Sequence, residues 1–149
     1  MSKDNSNMSM EEIDLQESSE NILIDEFDDF WKPSILKNEL ENELSRYIVA
    51  KIENDIVGFA GIIILPDDAE ITNIVTRKQN RKNGIGKLLL AKLIEITKQE
   101  NKEEISLEVN EINKPAIKLY ESFGFEIVGR RKKYYNREND AIIMTKKLV

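Results

Sequence analysis

The spacing of apolar residues changes several times along the chain, and each change predicts an element. Residues 1–8 are small and polar and predict a disordered tail. From Glu11 to Phe30, Ile13, Ile22–Leu23–Ile24 and Phe27 mark a helical pattern. After Pro33–Ser34 a second helix is predicted from Ile35, Leu36, Leu40 and Leu44. Tyr47–Ile52 and Ile56–Leu65 read as strands joined by a tight turn at Asn54–Asp55. Pro66–Asp67–Asp68 breaks the chain before a third strand, Glu70–Thr76.

Ile85, Leu88, Leu89, Leu93 and Ile96 then follow a helical period, with Lys87, Lys92, Glu95 and Lys98 facing outward. Ile105, Leu107 and Val109 alternate with Ser106, Glu108 and Asn110, the signature of a half-buried strand. Asn113 reads as the cap of a short helix that has Pro115 in its first turn, carries Ile117, Leu119 and Tyr120, and stops at Gly124. Two closing strands, around Phe125–Tyr135 and Ala141–Leu148, flank a polar turn, Asn136–Asp140. Without an internal repeat or linker, the pattern predicts one mixed α/β domain over residues 9–149 behind the 1–8 tail.

Composition narrows the chemistry. A chain of 149 residues with 40% hydrophobic and 34% charged positions suits one soluble domain. No stretch approaches the roughly 18 apolar residues of a membrane span. The N-terminus resembles neither a secretory signal nor a transit peptide, so a cytoplasmic setting is expected. There is no cysteine and no histidine. Thiolate nucleophiles, zinc knuckles and the usual neutral-pH base are thereby excluded, and no metal site is expected. Proton transfer falls to carboxylates, tyrosine, lysine or water.

The formal charge of -6 is uneven: residues 1–29 hold one base and ten acids, leaving 21 bases and 18 acids in residues 30–149. Overall acidity argues against a general nucleic-acid binder but not against a local anion site. Such a site is offered by Arg77–Lys87, where five bases and no acid lie between a predicted strand and a predicted helix. A helix N-terminus presents free N–H groups and a positive dipole end, and glycines allow close approach. It is not a P-loop, because Arg81 stands where the first glycine belongs and Leu88 follows Lys87. Nor is it a dinucleotide fingerprint, because Gly84-Ile85-Gly86 runs on into Lys87, Leu88 and Leu89. A solvated basic turn is the plainer reading of the same residues.

Arg81-x-x-Gly84-x-Gly86 resembles motif A of the GCN5-related N-acetyltransferases (GNAT), [QR]-x-x-G-x-[GA]. Thr72–Thr76 resembles that family's preceding strand, and Glu108-Val109, Asn113 and Ala116–Phe125 its following strand and helix. The similarity is closer to the RimI-like ribosomal-protein-alanine N-acetyltransferases through Leu107–Val109, Leu119–Ser122, Arg130–Tyr135 and Asp140–Met144. Two departures are Thr76-Arg77-Lys78, where relatives often have a Val-x-Pro turn, and Phe30–Ser34, where they have Pro-Trp-Ser.

The resemblance implies a single-domain GNAT (acyl-CoA N-acyltransferase) fold, a mixed, mostly antiparallel sheet flanked by helices. It implies acetyl-CoA as co-substrate, held by Ile74, Val75 and Thr76, by the loop Arg81, Lys82, Asn83, Gly84, Ile85, Gly86 and Lys87, and by Asn113. It assigns Glu108 as general base, through water, and Tyr120 as the acid that protonates the coenzyme thiolate. The implied acceptor is a protein N-terminus, a ribosomal-protein alanine, attacked directly in a ternary complex. No nucleic acid or membrane partner is expected. Glu26, Asp28 and Asp29 are expected to attract a cationic peptide, and Tyr134 and Tyr135 to line the acceptor cleft. Taken singly, Glu108 reads as an ordinary exposed strand residue, Tyr120 as packing beside Phe123 and Phe125, and Asn113 as an N-cap. A GNAT enzyme acting on a small amine such as a polyamine or antibiotic, or a silent acetyl-CoA-binding module, remains open.

Overall fold

The computed structural model describes residues 8–12, 42–53, 55–77, 80–81, 83–135 and 137–149. Nine elements are described in chain order: β1 (Met8–Glu12), β2 (Ser45–Ile52), β3 (Asp55–Ile64), β4 (Asp68–Thr76), α1 (Ile85–Gln99), β5 (Glu104–Asn110), α2 (Lys114–Ser122), β6 (Glu126–Tyr135) and β7 (Asn139–Lys147). Two compact units divide them: one contains the chain up to Ile64 together with Thr72–Leu93, the other Leu65–Ile71 and Ile94–Val149.

In the first unit, β1, β2 and β3 form antiparallel pairs. Neighbouring order runs β1-β2-β3-β4, with β4 contributing Thr72–Thr76. The pattern had predicted a helix from Glu11. Instead Met8–Glu12 lies along β2, from Met8 opposite Ile52 to Glu12 opposite Ile48. The open edge of β2 offers a row of backbone donors and acceptors, and residues 11–12 carry no apolar mark to favour a helix. Residues 13–41 of the two predicted helices lie outside the described residues. Leu44, predicted as helical, is exposed in a turn; the Leu44 N–H donates to Asn42 Oδ1 at 2.9 Å and the Ser45 N–H to Asn42 O at 3.0 Å.

Glycine sets two close approaches here. Gly61 stands opposite Tyr47, and a Cβ on it would come within 2.5 Å of the Tyr47 ring. The buried Tyr47 hydroxyl accepts a hydrogen bond from Asn73 Nδ2 at 3.2 Å. A Cβ on Gly58 would meet the Val75 carbonyl oxygen at 2.9 Å and the Ile85 and Leu89 side chains at 3.2 Å. The part of helix α1 in this unit buries Ile85, Leu89, Leu90 and Leu93, and the part in the second unit buries Ile94, Ile96 and Thr97. Full burial of one leucine stabilises by roughly 1.5–3 kcal/mol. Leu88, predicted to face the core, is 42% exposed, because the buried stripe is centred on Leu89 and Leu93 and takes in Leu90 and Ile94.

In the second unit the order is β4-β5-β7-β6, with Asp68–Glu70 parallel to Glu104–Ser106 and the other pairs antiparallel. Strand β5 alternates as its sequence requires: Ile105, Leu107 and Val109 are buried and Glu108 is exposed. The Ser106 and Thr145 hydroxyls meet at 2.9 Å on the Glu108 face. Helix α2 starts at the predicted cap, with Asn113 Oδ1 accepting from the Ala116 N–H at 3.3 Å and a proline in the first turn. It ends where Gly124 takes φ +91°, a conformation a side chain would disfavour, and the Gly124 N–H donates to Glu121 O at 3.0 Å.

Candidate active site

The two units hold different candidate residues. In the first, β4 delivers Ile74, Val75 and Thr76 to the basic loop, which is tied down by its backbone. The Arg77 N–H donates to Val57 O at 2.8 Å and the Asn80 N–H to Arg77 O at 2.9 Å. Asn83 Nδ2 donates to Asn80 O at 3.3 Å, so this side chain shapes the loop. Asn80, absent from the sequence-derived candidates, is almost wholly buried and serves the same turn. Arg81 is exposed, with its Nε donating to Thr76 O at 3.4 Å. Lys78 and Lys82 lie outside the described residues.

Gly84 then takes φ +79°, with nothing within 4 Å of where a Cβ would stand. The chain turns there into α1, a helix of 15 residues with no acid in its first turn. Its first N–H groups have no partners within the helix, and its own first turn carries no carboxylate to offset the positive end. Open space over a left-handed glycine, a helix N-terminus with no acid in its first turn and an adjacent exposed arginine make a cradle that fits a pyrophosphate.

In the second unit, Glu108, Asn113 and Tyr120 sit on β5 and at the two ends of α2. Glu108 is ion-paired: Arg131 Nε stands 2.9 Å from its Oε1, with side-chain exposures of 57% for Arg131 and 30% for Glu108. The Arg131 guanidinium also lies over the Tyr134 ring, 5.2 Å from its centroid. Tyr120 is half-buried, its ring tilted against Phe125 at a centroid distance of 5.8 Å. The contact with Phe125 is part of the plainer expectation for Tyr120, and it orients the ring. Asn113 makes the capping bond described above and can still offer its amide donors.

A second charged cluster was not anticipated. Arg130 Nη1 stands 2.9 Å from Asp140 Oδ2 and 3.7 Å from Glu111 Oε1. The Asp140 N–H donates to Glu111 Oε2, and Asp140 Oδ1 accepts from the Lys133 N–H at 2.9 Å. That backbone bond, followed by the one from Arg130, holds the Asp140 carboxyl below its ordinary range. Three residues, Lys132–Tyr134, oppose Asp140 alone in the ladder, and Lys133 takes φ +52°. Asp140 thus pins a bulge. In the sequence Arg130–Lys133 reads only as a basic run, because the acids that pair with its arginines are supplied by strand register. Glu26, Asp28 and Asp29 lie outside the described residues. Among those residues no group of three acids could hold a metal, and no helix is long and apolar enough to cross a membrane.

The acetyltransferase (GNAT) family model matches residues 8–125. The chain belongs to this family. It is 39% identical over 121 residues to the [ribosomal protein bS18]-alanine N-acetyltransferase of Haemophilus influenzae, covering 76% of this chain and 80% of that protein. It is 34% identical over 112 residues to the N-alpha-acetyltransferase RimI of Mycobacterium tuberculosis, covering 72% and 69%. The crystal structure of the Escherichia coli ribosomal-protein-S18-alanine N-acetyltransferase superposes with a TM-score of 0.86 at 24% identity, covering 95% of this chain and 94% of that one. The GNAT fold expected from the sequence is therefore the observed one.

Proposed function

We propose that this GNAT acetyltransferase transfers the acetyl group of acetyl-CoA to the α-amine of a protein N-terminus, with a ribosomal-protein alanine as the acceptor. The observation that carries this reading is the 39% identity to a bS18-alanine N-acetyltransferase over 121 residues. The aligned length takes in most of the chain, not a loop motif alone. A chain without cysteine or histidine suits direct transfer, which needs neither a covalent thioester on the protein nor an imidazole.

The bound coenzyme supplies a thioester carbonyl and a thiolate leaving group. The first N–H groups of α1, the Gly84 turn and Arg81 hold its pyrophosphate, and the backbone of Ile74–Thr76 orients its arm. Glu108 accepts a proton from the incoming amine through water. An α-amine loses its proton near pH 7.7–8.0, against about 10.4 for lysine, so an N-terminal acceptor asks modest help from a carboxylate. The Tyr120 hydroxyl is a hydrogen-bond donor and gives its proton to the departing sulfur.

The test is mass spectrometry after incubation with acetyl-CoA and each of three acceptors: an Ala-initiated basic peptide, an N-terminally blocked lysine peptide and spermidine. Acetylation of the peptide α-amine alone supports the proposal. Acetylation of spermidine alone overturns it in favour of a small-amine acetyltransferase, and coenzyme binding without product overturns it in favour of a silent module.

A further inference from the structure

Glu108 sits on the exposed face of β5 with a long, rotatable side chain, and an unrestrained carboxylate there spreads over several rotamers. Strand register shows what restrains it. Glu108 faces Ile143 on β7, which faces Gly129 on β6; one step along, Asn110 faces Ala141, which faces Arg131. Arg131 therefore starts two strands away, about 10 Å laterally. Ala141, which faces Arg131, carries only a methyl, so the arginine stem crosses β7 on the diagonal and places Nε 2.9 Å from Glu108 Oε1.

Both flanks of Arg131 are fixed. The Tyr134 ring lies beneath the guanidinium, and Asp140 holds the intervening bulge through the Lys133 N–H. The ion pair brings Nε to Oε1, and Oε2 is the carboxylate oxygen assigned here to take the proton. The guanidinium stays charged at every working pH, so the restraint persists through the reaction.

We propose that Arg131 is a positioning residue that fixes the Glu108 carboxylate for proton acceptance, with Tyr134 and Asp140 holding Arg131 in turn. This rests on the general-base reading of Glu108. Arg131→Gln removes the charge from an exposed side chain, so the fold survives, with a urea midpoint close to wild type. Turnover of the Ala-initiated peptide should fall about 10- to 100-fold, part of the 10²–10⁴-fold typical of general-base catalysis. KM for acetyl-CoA and for the peptide should stay within about twofold. Arg131→Lys should recover part of the loss, because it restores charge without the planar fork. Lys132→Gln, an exposed neighbour, should behave as wild type.

In a Glu108→Gln background, Arg131→Gln should cost nothing further, because the carboxylate it orients is gone. Equal losses in both backgrounds, or an Arg131→Gln turnover within twofold of wild type, overturn the positioning role. The two readings fail separately. Glu108→Gln with wild-type turnover overturns the base assignment, whereas an inactive Glu108→Gln beside an active Arg131→Gln overturns only the inference about Arg131.

Discussion

Replacing Gly58 with alanine tests whether β3 sets the place of β4, the strand proposed to hold the coenzyme. The new methyl would stand 2.9 Å from the Val75 carbonyl oxygen and 3.2 Å from Ile85 Cγ2 and Leu89 Cδ1. The first neighbour is backbone and the other two are fully or almost fully buried, so none yields cheaply. Overpacking of this kind costs about 1–3 kcal/mol, and the stiffer unfolded chain of an alanine variant offsets about 0.4–1 kcal/mol. The net loss is roughly 1–2 kcal/mol, or a melting point lower by roughly 2–8 °C for a chain of this size. Strand β4 should be displaced at Val75, so the Kd for acetyl-CoA should rise several-fold. Gly129→Ala is the control: its methyl would meet only Ile143 Cδ1, at an ordinary 3.5 Å. Urea unfolding read by circular dichroism, with calorimetric titration of acetyl-CoA, measures both quantities. A Gly58→Ala protein as stable and as tightly binding as wild type, or a Gly129→Ala protein equally damaged, would refute the steric reasoning.

Tyr120→Phe keeps the ring against Phe125 and removes only the hydroxyl; turnover should fall at least about 10²-fold with acetyl-CoA affinity within twofold, by steady-state kinetics and titration. Asn113→Ala removes the bond to the Ala116 N–H and should cost about 1 kcal/mol of stability, read from the urea midpoint. The Asp140 carboxyl is held below its usual value by the Lys133 N–H and Arg130, so its stabilising contribution is complete above the usual aspartate range. That contribution is lost as pH falls from about 4 through the lower folded-state value. Acid titration of the β6–β7 amide resonances should therefore show the hairpin loosening below about pH 4 in wild type, and a flatter profile in Asp140→Asn.

Local pattern was enough for most elements. The alternation at Ile105–Val109, the Asn113 cap with Pro115 and the stop at Gly124 all depend on neighbours within a few residues, and all stand where they were expected. The basic glycine loop was equally legible, because charge, glycine and the onset of a helical period coincide there. The edge strand Met8–Glu12 was not, because its partner lies some forty residues away and its own composition carries no strand signal. Leu88 and Leu90 both fit a helical stripe within one residue's rotation, and only packing chose between them.

By itself the sequence determined the residue types available for chemistry, the basic glycine loop and the resemblance that assigns Glu108 and Tyr120 their proposed roles. What surrounds those residues was decided by tertiary structure. Arg130 and Arg131 are adjacent in the chain, yet one pairs with Asp140 and Glu111 and the other with Glu108. The partners come from β5, the turn that follows it and β7, and their register is set by sheet pairing and two bulges. A charge is legible from one residue, but its partner depends on which distant strand the fold brings within about 3 Å.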